Sequence, residues 1–183
     1  RMVLLMPQEP RSDNPRPKLV VCDLDGTLLN GTGPVSPAVR QAMQDTVDAG
    51  HWITVCTGRG YQLLKPFLGQ IAVNAPLICC NGGLILDSRS LQVIYAAPTP
   101  LELAHDTIRL AMTRGWRALA YFADMLTLLY YGYSPFDPTR SPRSGYQLVR
   151  DGVLVAEGPD PLTVITEPLQ KLMVLAPMSS ATP

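Results

Sequence analysis

The feature that most restricts the fold is a short apolar run, Leu19-Val20-Val21-Cys22, that stops at Asp23-Leu24-Asp25-Gly26. Such a run does not alternate polar with apolar residues. It predicts a strand buried on both faces, as strands of parallel sheets are. The same grammar recurs twice downstream. Trp52-Ile53-Thr54-Val55-Cys56 predicts a second strand and runs into Thr57-Gly58-Arg59-Gly60. Leu77-Ile78-Cys79-Cys80 predicts a third and runs into Asn81-Gly82-Gly83. Between them lie helical patterns. Ser36-Pro37 offers an N-cap followed by proline at the first helical position, Val39, Ala42, Met43 and Val47 recur at helical spacing, and Gly50 closes the segment. Leu63, Leu64, Phe67 and Leu68 mark a second helix in which Pro66 predicts a kink or a new turn. A β-α-β-α-β order implies right-handed crossovers and a parallel sheet, with ligands bound beyond the carboxyl ends of its strands. Asp23, Thr57 and Asn81 each follow a strand directly, so three segments deliver polar groups to one sheet edge.

The texture changes after Gly83. Leu84–Leu86 and Gln92–Tyr95 read as a hairpin, and residues 100–114 as a helix ended by Gly115. Arg117–Phe122 and Met125–Tyr131 read as strands, and Ser134–Gly145 as a proline-rich loop carrying Arg140 and Arg143. Leu148–Val149 and Val153–Val155 flank the hairpin signal Asp151-Gly152, and Lys171–Leu175 reads as a last strand. Leu162–Thr166 fits no single pattern. Residues 1–17, with Pro7, Pro10, Pro15 and Pro17, read as a flexible tail.

Composition excludes several classes. Lys+Arg and Asp+Glu are both 15, so no net field draws the chain to nucleic acid or to an anionic membrane. No apolar run reaches the ~18 residues of a membrane span. Cys22, Cys56, Cys79 and Cys80 lie in or beside apolar strands without zinc-type spacing, which predicts reduced thiols and a cytoplasmic setting. His51 and His105 have no ligand-like spacing and read as surface or packing residues.

The chemistry concentrates in Asp23-Leu24-Asp25-Gly26-Thr27. Two carboxylates two residues apart, at the end of a strand, can share one small space. They suit Mg²⁺, which takes oxygen ligands and retains water. They also allow one carboxylate to attack phosphorus while the other moves protons. Thr57-Gly58-Arg59 supplies a hydroxyl and backbone N–H groups at a strand-to-helix junction, an arrangement suited to anions. Each piece has a plainer reading: Asp-x-Asp-Gly as a surface turn, Thr-Gly-Arg-Gly as a connection, Arg59 as a solvated helix start, Asn81-Gly82 as a turn. A dinucleotide fingerprint fails at Leu63, where the third glycine would stand.

The ordered set Asp23-Leu24-Asp25-Gly26-Thr27-Leu28, Thr57-Gly58-Arg59 and Asn81-Gly82-Gly83 resembles the haloacid dehalogenase superfamily, and within it the Cof-type sugar phosphatases. The resemblance covers residues 18–97 closely and 98–176 more loosely. It implies an α/β fold: a Rossmann-like parallel sheet over residues 18–83, then a linker hairpin and an inserted α+β cap over 84–183. It implies Asp23 as a nucleophile forming an aspartyl-phosphate and Asp25 as general acid and base. Mg²⁺ would be bound by the Asp23 carboxylate and the Asp25 main-chain carbonyl. Thr57, Gly58, Arg59 and Asn81 would form the phosphate-binding group. The expected partner is a small phosphorylated substrate, with hydrolysis as the reaction; a phosphomutase or a non-catalytic phosphate-binding module are the alternatives. The family pattern continues beyond the cap with a lysine and an acidic Gly-Asp-x-x-x-Asp segment that this sequence does not show. Lys171 falls where the family places a cap strand, not at that lysine. The expectation is a chain with half the core and most of the cap, poorly active until the missing parts are supplied.

Overall fold

The computed structural model describes residues 16–30, 34–133 and 145–176. The first half follows the anticipated order: β1 (Leu19–Cys22), α1 (Pro37–Asp48), β2 (Trp52–Val55), α2 (Tyr61–Leu68) and β3 (Leu77–Cys79). The Ser36 hydroxyl caps α1 by accepting the Val39 N–H at 3.3 Å. β1 and β2 pair in parallel with Cys22 opposite Val55. A parallel bridge from Cys56 to Ile78 carries the pairing on to β3. The strand ends that bear Asp23, Thr57 and Asn81 therefore line up along one edge. β3 continues antiparallel into β4 (Leu84–Leu86) and β5 (Val93–Ala96), the expected hairpin. Leu24, Leu29, Val55, Leu64, Leu77 and Leu86 fill the core beneath this sheet.

The second half builds α3 (Leu101–Arg114) and an antiparallel sheet. Its strands are β6 (Arg117–Phe122), β7 (Thr127–Tyr131), β8 (Tyr146–Arg150), β9 (Val153–Gly158) and β10 (Leu169–Leu175), in the order β10-β6-β7-β8-β9. Alternation along the strands gives this sheet two apolar faces. Ala118, Ala120, Phe122 and Leu129 pack against Ala104 and Ile108 of α3. Leu119, Tyr121, Leu128, Tyr130 and Val149 face the other way and meet Leu63 of α2. Lys65 of α2 pairs with Asp151 at 2.8 Å, and Gln170 Nε2 donates to the Gly83 carbonyl at 2.8 Å. The second sheet thus lies over α2 and the loops at the strand ends.

Two expectations need correction. β1 is not buried on both faces: Leu19, Val20 and Val21 are 55 %, 37 % and 47 % exposed. Among the described residues β1 pairs only with β2 and forms the sheet's edge; an apolar run reports side-chain chemistry, not how many neighbours a strand finds. The β7 strand begins at Thr127, because Met125 adopts φ 58° in the preceding turn. Pro66, expected to kink the segment or start a new turn, sits inside α2. The ambiguous stretch near Leu162 is a single 3₁₀ turn over Pro161–Thr163, capped by the Asp160 carboxylate. The expectations for residues 1–15 and for the loop with Arg140 and Arg143 lie outside the described residues. The four cysteines are free thiols, and no helix among the described residues is long and apolar enough to cross a membrane.

Candidate active site

Asp23 leaves the end of β1 into solvent, and among the described residues its carboxylate has no hydrogen-bond or ion-pair partner. The loop that follows is pinned from both sides. Gly26 N–H donates to the Leu29 carbonyl at 2.9 Å and Leu29 N–H to the Leu24 carbonyl at 2.8 Å, while Leu24, Leu28 and Leu29 are buried in the core. Gly26 takes φ 81°, a turn that a side chain would resist. The two carboxylates are thus held on a short loop whose apolar residues anchor it.

The second loop is fixed by the sheet itself. Cys56 N–H donates to the Cys22 carbonyl at 2.8 Å and Thr57 N–H to the Ile78 carbonyl at 2.9 Å. Thr57 is 2 % exposed, and its Oγ1 accepts the Arg59 N–H at 3.1 Å. The hydroxyl proton therefore remains available for an anion. A Cβ on Gly58 would come within 3.3 Å of Asn81 Oδ1, and one on Gly60 would collide with the Tyr121 ring. Glycine at these two positions lets neighbouring chains close around the loop.

Asn81 sits on a 3₁₀ turn, Cys80–Gly82, in which Cys80 and Asn81 take φ 53° and 58°. Left-handed backbone costs a non-glycine residue of order 1–2 kcal/mol. The turn is stitched to the second loop by Cys80 N–H on the Arg59 carbonyl at 2.8 Å and Asn81 N–H on the Thr57 carbonyl at 3.1 Å. Strain offset in this way is a mark of a built site.

Arg59 goes to Asp25. Its Nη2 donates to Oδ1 at 2.6 Å and its Nε to Oδ2 at 2.9 Å, the two-pronged geometry that guanidinium and carboxylate favour. Nη1 donates to the Leu63 carbonyl at 3.2 Å, and the guanidinium lies 5.0 Å from the centre of the Phe67 ring. Of the residues singled out in the sequence, Arg59 therefore faces the second carboxylate rather than the Thr57–Gly58 loop. One participant was not singled out for the site. Lys171 lies in β10, as its sequence context predicts, yet its Nζ donates to the Gly58 carbonyl at 2.5 Å and to Asn81 Oδ1 at 2.9 Å. The only sequence signal was a lone cation inside an apolar strand.

Cys79 and Cys80, near this edge, are buried thiols. Burial pushes the Cys79 thiol up to about 12, with Cys80 and Cys56 adding to the effect. Burial also raises Cys80, and the Lys171 ammonium only partly opposes it. No cluster of three His, Cys, Asp or Glu side chains that could hold a metal occurs among the described residues. The donors present still fit a hard cation in part. The unpaired Asp23 carboxylate and the Asp25 main-chain carbonyl are oxygen ligands, and Mg²⁺ commonly takes one or two protein oxygens and keeps water or substrate oxygens for the rest.

A family model described as haloacid dehalogenase-like hydrolase matches residues 20–144. The chain belongs to this family. Over 109 residues it is 30% identical to the pyridoxal phosphate phosphatase YbhA of Escherichia coli, a match covering 60% of this chain and 40% of that protein. Over 71 residues it is 42% identical to the 5-amino-6-(5-phospho-D-ribitylamino)uracil phosphatase YwtE of Bacillus subtilis, covering 39% of this chain and 24% of that protein. The chain thus spans less than half the length of these relatives. A haloacid dehalogenase-like hydrolase from Bacteroides thetaiotaomicron shares the fold with a TM-score of 0.54 and 20% identity, over 64% of this chain and 59% of that one. The α/β fold and the Cof-type resemblance agree with these matches.

Proposed function

We propose that this chain carries the nucleophile, the acid–base group and the phosphate cradle of a phosphatase acting on phosphomonoesters of small metabolites. The observation that carries the reading is Asp23: an unpaired carboxylate at a strand end, two residues from a clamped carboxylate and level with the Thr57–Gly58 loop. Its relatives named as pyridoxal phosphate and aminouracil phosphatases support the substrate class.

In this mechanism the Thr57 hydroxyl and the Gly58 N–H hold the phosphoryl oxygens, supplying fixed donors where charge gathers. Asp23 Oδ forms a bond to phosphorus as the bond to the leaving oxygen breaks, and Asp25, protonated on the oxygen that Arg59 has let go, gives the leaving oxygen its proton. Asp25, now a carboxylate, takes a proton from water. The resulting hydroxide displaces Asp23, and inorganic phosphate leaves. A Mg²⁺ on the Asp23 carboxylate and the Asp25 carbonyl would offset the negative charge that brings carboxylate and phosphate together. The second sheet would act as a cap over this edge.

Hydrolysis of p-nitrophenyl phosphate in the presence of Mg²⁺ by the full-length protein tests the reading. Asp23→Asn should lower kcat by at least ~10³-fold. Undiminished turnover in that variant would refute the mechanism. Calorimetry showing that the unsubstituted protein binds a phosphosugar without turning it over would instead assign a binding module.

A further inference from the structure

Among the described residues, Lys171 of the second sheet hydrogen-bonds both a backbone carbonyl and a side chain of the proposed phosphate cradle. We infer that Lys171 is a positioning residue: from β10 it fixes Gly58 and Asn81, so that the cradle takes its final shape only when the cap is docked. The inference rests on the cradle assignment proposed above.

Three observations converge on it. First, the two acceptors belong to different loops. Gly58 follows β2 and Asn81 follows β3, and Lys171 Nζ bonds both. A single ammonium thereby bridges them, and the two already lie close, since a Cβ on Gly58 would stand 3.3 Å from Asn81 Oδ1. Second, Asn81 is held in left-handed backbone. Its Oδ1 is committed to Lys171, which turns the Nδ2 hydrogens, the donors an anion needs, to the other side of the amide. The Gly58 carbonyl is likewise committed, which fixes the plane of the peptide that follows it. Third, Lys171 is itself steered. Its Nζ lies 5.7 Å from the centre of the Tyr121 ring, and Tyr121 presses on Gly60, where a Cβ would not fit. Tyr121 and Lys171 occupy opposed positions of β6 and β10. The same strand pair therefore touches the loop at Gly58 and at Gly60. An ammonium set between a ring and two oxygen acceptors is fixed in direction, and directional donors placed this way add specificity more than stability.

A purely structural role predicts something different. Lys65–Asp151 also joins the two halves, at 2.8 Å, but touches neither Gly58 nor Asn81. Lys65→Met therefore serves as the control for a generic weakening of the cap contact. The experiment uses the 183-residue chain, labelled with ¹⁵N, and reads the Gly58 amide and Asn81 side-chain amide signals together with the affinity for inorganic phosphate. Lys171→Met should move both signals and weaken phosphate binding about tenfold, Lys171→Arg should restore most of the affinity, and Lys65→Met should leave both readouts unchanged. Lys171→Gln, neutral but still polar, is a second loss variant should the methionine variant not fold. Gly58 and Asn81 signals that stay in place in the loss variants would overturn the inference, as would loss variants that bind phosphate as tightly as the unsubstituted chain. If the unsubstituted chain binds no phosphate, the cradle assignment fails, while the two amide signals still decide whether Lys171 positions these residues.

Discussion

Both oxygens of Asp25 accept from one guanidinium, which under the proposed mechanism makes Arg59 a clamp on the acid–base group. A residue that clamps the acid–base carboxylate governs its direction; a residue that binds the substrate governs its affinity. The two roles separate in kinetics. With Arg59→Met in the full-length protein, kcat for an aryl phosphate should fall about 10²-fold, since misorientation of a reacting group by about 1 Å carries a penalty of that order. KM should change less than a few-fold. A rise in KM with kcat intact would place Arg59 on the phosphate instead. The pair spans 34 residues, and nothing in the local sequence distinguishes a clamp from a phosphate ligand. The carboxylates and Thr57-Gly58 were legible because each stands directly after a strand; their mutual contacts were not, because side-chain reach is not encoded in spacing. Lys171 is the extreme case, 113 positions from Gly58.

At the scale of elements, legibility follows the strength of the local stop signals. The helices α1 and α3 agree with their sequence readings within a residue or two because Ser36-Pro37, Gly50 and Gly115 fix their ends. The β6–β7 turn was placed less well, since its signal is a carboxylate that folds back on its own backbone. Asp124 accepts the Leu126 and Thr127 N–H groups at 3.0 and 2.8 Å and the Thr127 hydroxyl at 2.6 Å. Burial alone would raise its pKa, but these bonds and the Arg150 guanidinium outweigh it and hold the carboxyl below its ordinary value. A carboxyl depressed by folding contributes stability above its unfolded pKa of about 3.9 and loses it as pH falls through the folded value. Asp124→Ala should therefore cost about 1 kcal/mol at neutral pH. In urea titrations the gap between the two proteins should narrow below about pH 4. A gap that is constant from pH 7 to pH 2 would show that the ionised carboxylate is not what holds the turn.

Across the whole molecule, two parallel strands with the same apolar look carry unequal loads. β2 lies between β1 and the bridge to β3, and Val55 is 0 % exposed. β1 is the open edge, with Val21 at 47 %. Valine and threonine have nearly the same shape, so exchanging one for the other tests burial with little change in strand propensity. Val55→Thr places a hydroxyl in the core and should cost about 1–3 kcal/mol. Val21→Thr should stay within about 0.5 kcal/mol, as surface substitutions do. Denaturant midpoints of the two variants of this chain, compared at equal slope and low protein concentration, measure the difference. Equal losses would mean that β1 is covered in solution and that the sheet does not end there. The expected inequality would show that the core beneath β2 stabilises the Asp23 loop from one side only: through Leu24, Leu28 and Leu29, and not through β1 itself.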